Sequence, residues 1–337
     1  MKILVVRVGR VGDMIMLTPA LDALMDTFPD AQFHLLTSPE GRPVLKNYDS
    51  RLKGEIIYDR RKLIAFIERA RVRKDIIAGQ FDYIFSFQAK KSFDRLITVP
   101  NAKVHIVDAQ RPGEHFAHKC LRLVKSYHPA LDIESYYARL PISQLGKQQA
   151  QQQLQQLNVH DTTFLIGLHP SFSGLSKRFG RGQQMIKNKM WPVQYWGEIG
   201  KRLYDYGKAI NQDIQIIMDL VPEDQPLGEQ IVQASQGCIK LQIPPLNMER
   251  YKATLARMNL LITPDTGPMH IAAAIGTNIV ALFANKDPSD CGPYCPQSQF
   301  QVLEAKIFSK TSTATRLAAI TPDSVFTACQ AFLPSEK

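Results

Sequence analysis

Two consecutive Rossmann-like, doubly wound α/β domains facing each other across a cleft are the fold class this sequence predicts. Three observations point there. In both halves, short β-rich runs alternate with stretches that carry apolar residues at helical spacing, the pattern of a parallel sheet with helices on both faces. At 337 residues the chain exceeds one ordinary domain and suits two of roughly 150 residues each. A glutamine-rich helical stretch at 148–156, followed by a fresh apolar run, separates the two series.

The first series opens with Ile3 to Val6, which reads as a buried strand; Arg7, Arg10 and Asp13 interrupt it before a secretory apolar region can form. Strands are expected at 2–8, 32–36, 55–58, 82–87 and 103–107, with helices at 14–27, 63–73 and 116–125. The second series predicts strands at 164–168, 213–218, 238–241, 260–263, 278–283 and 301–303, with helices at 192–206, 225–235, 248–258 and 269–275. The domains are therefore drawn at 1–157 and 158–320, with a terminal helix within 321–337 expected to pack back across the joint. In open parallel sheets, ligands sit beyond the carboxyl ends of the strands.

Composition excludes several classes. An apolar content of 45% with 21% charged residues is that of a globular chain, not a disordered one. No segment approaches the roughly 18 apolar residues of a membrane-spanning helix, so a cytoplasmic protein is expected. Five cysteines, Cys120, Cys238, Cys291, Cys295 and Cys329, are scattered and odd in number, which predicts reduced thiols. Cys291 and Cys295 could supply half a metal site, but no second Cys/His pair at ligand spacing accompanies them, and no metal is expected.

The net charge of +10 is uneven: residues 1–150 hold 24 Lys and Arg against 16 Asp and Glu, and the remainder 17 against 15. Basic residues concentrate at Arg60-Arg61-Lys62, at Arg69, Arg71, Arg73 and Lys74, and at Lys90-Lys91. Such runs are commonly solvated helix faces. Alternatively, the first half meets something anionic, such as a phosphorylated lipid or a membrane surface. No zinc-finger, RNP-type or helix-turn-helix pattern accompanies the charge, so nucleic acid is not expected.

Chemistry concentrates in three segments. In the first, an apolar strand ends in Pro264-Asp265-Thr266-Gly267-Pro268 and opens into Met269-His270 and a small-residue helix. Pro268 suits a first helical turn, and a helix N-terminus is a natural seat for a diphosphate. A plain Asp/Thr cap with a core histidine is the competing account. The second segment runs from His169-Pro170-Ser171 through a basic, glycine-bearing loop to Lys189-Met190-Trp191-Pro192, where a lysine at the same sheet edge can reach a phosphate. A surface lysine before an anchoring tryptophan is the simpler alternative. In the third, Gly9-Arg10-Val11-Gly12-Asp13 follows the first strand without the G-x-G-x-x-G or P-loop pattern, so neither NAD binding nor ATP hydrolysis is indicated. Asp13 either caps the first helix or serves as a general base.

Together these residues resemble the lipopolysaccharide heptosyltransferases of glycosyltransferase family 9, which have the GT-B architecture. The resemblance runs nearly the whole length: I-L-V-V-R-V-G-R-V-G-D-M-I-M-L-T-P-A-L at the start, F-D-Y-I-F-S-F-Q, K-x-K-M-W-P, and the most specific block, D-T-G-P-M-H-I-A-A-A-I-G-T-N-I-V-A-L-F, followed by D-P and G-P-Y. It implies inverting, metal-independent transfer of heptose from ADP-L-glycero-β-D-manno-heptose to the lipid A–Kdo inner core, with no cofactor beyond the donor substrate. On matching positions, Asp13 would deprotonate the acceptor and Lys189 would pair with the leaving diphosphate. Asp265, Thr266, Gly267, Pro268, Met269, His270, Ser171 and Glu223 would line the donor site, Glu223 standing for the family's ribose-binding acid. Arg10, Arg60, Arg61, Lys62, Lys90 and Lys91 would face an anionic glycolipid acceptor, with the protein peripheral at the cytoplasmic face of the inner membrane. The chain departs from the family at Asp219-Leu220-Val221-Pro222-Glu223, where relatives often carry a glycine pair. Two other readings stand beside this one: a GT-B transferase using another nucleotide sugar or a protein acceptor, and a glycan-binding module without turnover.

Overall fold

A computed structural model of the chain describes residues 1–62, 64–88, 91–172, 189–284, 286–305 and 316–335, with the backbone alone at 91 and 92. It divides into two units, 1–141 with 289–294, and 142–288 with 295–337.

The first unit is built on five parallel strands: β1 (Lys2–Val6), β2 (Gln32–Thr37), β3 (Leu52–Ile57), β4 (Tyr83–Ser86) and β5 (Lys103–Ile106), in the order β3-β2-β1-β4-β5. Central β1 pairs on both sides, with Ile3 opposite Phe33 and Tyr83. Ile3 to Val6 are wholly buried, as expected of a strand covered on both faces. The helices are α1 (Val11–Ile15), α2 (Thr18–Thr27), α3 (Ala65–Gly79), α4 (Lys91–Ile97) and α5 (Phe116–Tyr127).

The expected single helix at 14–27 is two. Pro19 lies in the first turn of α2, where its missing amide is tolerated, and the Thr18 hydroxyl donates to the Ile15 carbonyl at 2.8 Å across the break. Helix α3 runs past the expected 63–73 and stops at Gln80, whose φ of 50° is left-handed. Helix α4 was not anticipated.

The second unit repeats the plan with six parallel strands: β6 (Phe164–Leu168), β7 (Ile214–Asp219), β8 (Ile239–Gln242), β9 (Leu260–Pro264), β10 (Asn278–Phe283) and β11 (Phe300–Glu304). Their order is β11-β10-β9-β6-β7-β8, so the winding reverses between β6 and β9 as it does between β1 and β4 in the first sheet. The helices are α6 (Gln144–Gln156), α7 (Val193–Ala209), α8 (Gln225–Ala234), α9 (Met248–Arg257), α10 (Gly267–Ile275) and α11 (Pro322–Cys329). Trp191 and Trp196 anchor this core edge to face at 4.8 Å, and the Trp191 indole donates to the Ile320 carbonyl at 2.8 Å.

Two expectations about the joint are corrected. Helix α6, expected in the first half, packs on α9; a Cβ on Gly146 would come within 2.5 Å of the Glu249 carbonyl oxygen. The boundary therefore falls at 141/142, not 157. The terminal helix α11 packs on α7 and β11, and Cys329 is wholly buried in the second unit's own core. No helix among the described residues is long and apolar enough to cross a membrane.

Candidate functional site

Each sheet has one point where its winding reverses, and the loops leaving the carboxyl ends of the flanking strands form a crevice there. Of the predicted site residues, Asp13 follows β1 at the first point, and Ser171 and the Asp265 to His270 segment follow β6 and β9 at the second.

In the second unit the chain leaves β9 through Asp265 and enters α10 with Thr266 at the N-cap and Pro268 in the first turn. The helix ends at Gly276, whose φ of 85° suits a residue without a side chain. The Thr266 hydroxyl turns back to the Pro264 carbonyl at 3.2 Å and lies 3.1 Å from Thr263 Oγ1, so the N-cap side chain does not cap α10. The plain-cap account therefore fails for Thr266. The amides of Gly267 and Met269 point along the helix start, where the dipole favours an anion. Met269 and His270 are buried.

Lys189 reaches this corner from the start of the Trp191 segment. Its ammonium lies 2.9 Å from Asp265 Oδ2 and also donates to the Asp265 carbonyl oxygen. Lys286 Nζ stands 3.4 Å from the same carboxylate. Burial alone would raise the Asp265 carboxyl, but Lys189, Lys286 and His270 together hold it below the ordinary value. Asp265 is thus an internal anchor that positions two ammonium groups beside a helix N-terminus. Two cations on one carboxylate leave the corner positive, which suits a bound diphosphate.

Beyond β6, Ser171 Oγ lies 3.2 Å from His169 Nε2, and the Tyr251 hydroxyl lies 3.3 Å from His169 Nδ1. Burial lowers the His169 pKa to about 4 and keeps the ring neutral. Ser171 also bonds to the buried Asp224, whose carboxyl burial raises. Glu223, the expected ribose ligand, is exposed on the same turn, and its neighbour Asp224 faces inward. Asp219, at the end of β7, is ion-paired with the buried Arg250 and accepts from Gln242 at 2.9 Å. The glycine-bearing loop at 173–188 lies outside the described residues.

In the first unit Asp13 sits in the first turn of α1. Its carboxylate accepts the Arg10 amide at 2.9 Å and is ion-paired with Arg7. Arg7 is pinned by the Phe87 carbonyl at 3.0 Å and by the Phe116 ring, 4.1 Å beneath its guanidinium. Gly9 is required here, because a Cβ would fall 2.4 Å from the Asp13 Cβ. The Val8 carbonyl accepts from Gln88 at 3.0 Å and from Arg60 at 3.1 Å, so Arg60 leans onto the loop that carries Asp13.

The other basic residues are placed differently. Arg61 pairs with Glu40 at 2.8 Å and Asp59 at 3.1 Å, and Lys62 pairs with Glu68 at 2.8 Å. Arg10 is exposed at the N-cap of α1. Lys90 lies outside the described residues, and Lys91 is placed by its backbone at the start of α4. Cys291 and Cys295 are each buried, and among the described residues no group of three or more His, Cys, Asp or Glu converges on a metal position. Sequence reasoning did not single out Arg7, Gln88, Asp224, Tyr251 and Arg250. It also missed Lys119, a buried lysine beside Arg7 whose pKa burial lowers.

Comparison with known proteins gives the family and the fold of the chain. The family model described as glycosyltransferase family 9 (heptosyltransferase) matches residues 102–317. Lipooligosaccharide heptosyltransferase 2 of Campylobacter jejuni is 24% identical over 303 residues, covering 87% of this chain and 84% of that protein. Among solved structures, a glycosyl transferase family 9 protein from Veillonella parvula superposes with a TM-score of 0.81 at 20% identity, over 98% of this chain and 96% of that one. E. coli ADP-heptose lps heptosyltransferase II does so with a TM-score of 0.74 at 18% identity, over 98% of each chain.

Proposed function

Since this chain belongs to glycosyltransferase family 9, we propose that it moves heptose from ADP-L-glycero-β-D-manno-heptose to an anionic inner-core acceptor of lipopolysaccharide, working at the cytoplasmic face of the inner membrane. The observation that carries this reading is the Lys189–Asp265 corner beside the start of α10. It is a preformed seat for a leaving diphosphate at a Rossmann switch point.

In this reading the transfer inverts the anomeric centre. Asp13 takes the proton from the acceptor hydroxyl as that oxygen bonds to the anomeric carbon, and the bond from that carbon to the diphosphate breaks. Lys189, Lys286 and the first-turn amides of α10 take up the charge that develops on the leaving group. Arg7 fixes the direction of the Asp13 carboxylate. Ser171, His169, Asp224 and Tyr251, a hydrogen-bonding set beyond β6, line the donor side near the nucleoside.

The adenosine assignment draws on the name of the E. coli neighbour, ADP-heptose lps heptosyltransferase II. Thermal melting with ADP, UDP and GDP tests it. ADP is expected to raise the melting temperature most, by the equivalent of about 2.7 kcal/mol at a hundredfold excess over its dissociation constant. Equal shifts from all three would point to a transferase with another nucleotide sugar.

A further inference from the structure

Helix α3 has apolar residues on two faces, and the fold uses one. Val72 and Ile76, with Glu68, are buried against the first unit's core. On the other side Phe66 is 73% exposed, Ile67 53%, Ile64 52% and Ile77 49%. At about 100° per residue, Phe66, Ala70 and Ile77 fall within about 40° of one another on the outward face. Nine large hydrophobic side chains are exposed among the described residues, and four of them lie between Ile64 and Ile77. Scattered exposed hydrophobics need no explanation; a cluster of this kind marks a contact surface.

The charges around the cluster say what the contact is. Residues 59–75 contain seven Lys and Arg and three acids. Glu68 is turned inward, its side chain 4% exposed, between Lys62 and Arg71, while Asp59 pairs with Arg61 and Asp75 with Arg71. Arg73 bonds to neutral main-chain oxygens, those of Arg95 at 2.6 Å and Thr98 at 2.9 Å, so no carboxylate offsets its charge there. Lys74 is exposed beside Ile77, and Arg60 bonds to the neutral Val8 carbonyl. An apolar centre flanked by basic residues is complementary to the headgroup boundary of an anionic bilayer.

We propose that the outward face of α3, with Ile64, Phe66, Ile67 and Ile77 at its centre, docks this protein on an anionic lipid surface. The inference takes its purpose from the proposed membrane-anchored acceptor, but its geometry stands without that reading. Cosedimentation of the full chain with vesicles tests it, comparing phosphatidylglycerol-rich with pure phosphatidylcholine vesicles. The chain should bind the anionic vesicles preferentially. Phe66→Ser with Ile67→Ser should lower the partition coefficient at least about tenfold, and Lys74→Glu severalfold. The double variant should keep its melting temperature and its turnover on a water-soluble, deacylated acceptor. If it melts early, Phe66→Ser alone provides the same comparison. Undiminished vesicle binding by these variants overturns the proposal, as does equal binding of the unsubstituted chain to both vesicle types. A variant that loses self-association in sedimentation velocity but keeps vesicle binding assigns the face to a second copy and also overturns it. Absence of heptose transfer alongside intact, patch-dependent vesicle binding supports the docking face and counts only against the functional reading.

Discussion

Arg7 and Asp13, six residues apart around the first strand-to-helix turn, are ion-paired, and the same carboxylate accepts the Arg10 amide at 2.9 Å. Asp13 therefore caps α1 and is also held in one orientation by a guanidinium that is itself fixed by Phe87 and Phe116. Capping and a role as base are compatible, since Asp13 Oδ2 accepts the Arg10 amide and Oδ1 faces Arg7, yet the side chain remains 34% exposed.

Asp13→Asn separates the two roles. The amide oxygen can still cap α1, but the group that accepts a proton is gone. Turnover should fall by about 10² or more, the usual contribution of a positioned base, with the donor KM unchanged. Steady-state kinetics, with a melting curve to confirm folding, decides it. Full activity would assign Asp13 to capping alone.

What the sequence revealed follows from the range of the interactions. The Asp265 to His270 corner was legible because strand end, turn and helix start are contiguous, and Pro268 marks the first turn. Arg7 was passed over because its partners come from Phe87, on the neighbouring strand's exit, and Phe116, on α5. Tyr251 meets His169 from 82 residues away, beyond any local pattern. Glu223 and Asp224 are adjacent carboxylates on one tight turn, and only the turn's geometry shows that Asp224 faces in. Both Rossmann halves were visible in strand-helix alternation, whereas the glutamine-rich α6 resembles a linker and reveals its unit only by packing on α9.

Lys189→Met should reduce turnover by about 10²–10³, the cost of removing one donor from a developing oxyanion. It should also act on acid stability. The Asp265 carboxyl sits below its ordinary value of 3.8, so its contribution is present above that pH and is lost as pH falls through the lower folded value. Without Lys189 the folded value rises, and the acid-unfolding midpoint should move to higher pH. Acid titration followed by tryptophan fluorescence checks this, since Trp191 and Trp196 both lie in the second unit's core.

His169 gives a second pH signature. Its folded pKa is pushed by burial from 6.5 down to about 4. Between those values the unfolded chain binds a proton that the folded chain does not, so stability is full above 6.5 and declines as pH falls toward 4. The slope approaches about 1.4 kcal/mol per pH unit for one proton. His115 is shifted to the same value, also chiefly by burial, so the two must be separated. Urea unfolding at pH 7.5 and 5 should show a smaller pH dependence in His169→Gln, and separately in His115→Gln. An unaltered dependence in His169→Gln would mean that its ring is already charged in the folded state.

Arg60 and Arg61 are neighbours in sequence but differ in electrostatic surroundings, and this predicts unequal roles toward an anionic acceptor. Arg61 is already neutralised by Glu40 and Asp59, whereas Arg60 bonds to the Val8 carbonyl beside the Asp13 loop and keeps its full charge. Arg60→Glu should therefore raise the acceptor KM more than Arg61→Glu does. Neither should move the donor KM, because the proposed diphosphate seat is built from second-unit residues. The Arg60 effect is electrostatic and must shrink as the Debye length falls from about 10 Å at 0.1 M salt to about 3 Å at 1 M. Saturation curves for acceptor and donor, taken for both variants at low and high salt, provide the test. Equal effects of the two substitutions, or a response that ignores salt, would return both arginines to the status of a solvated surface.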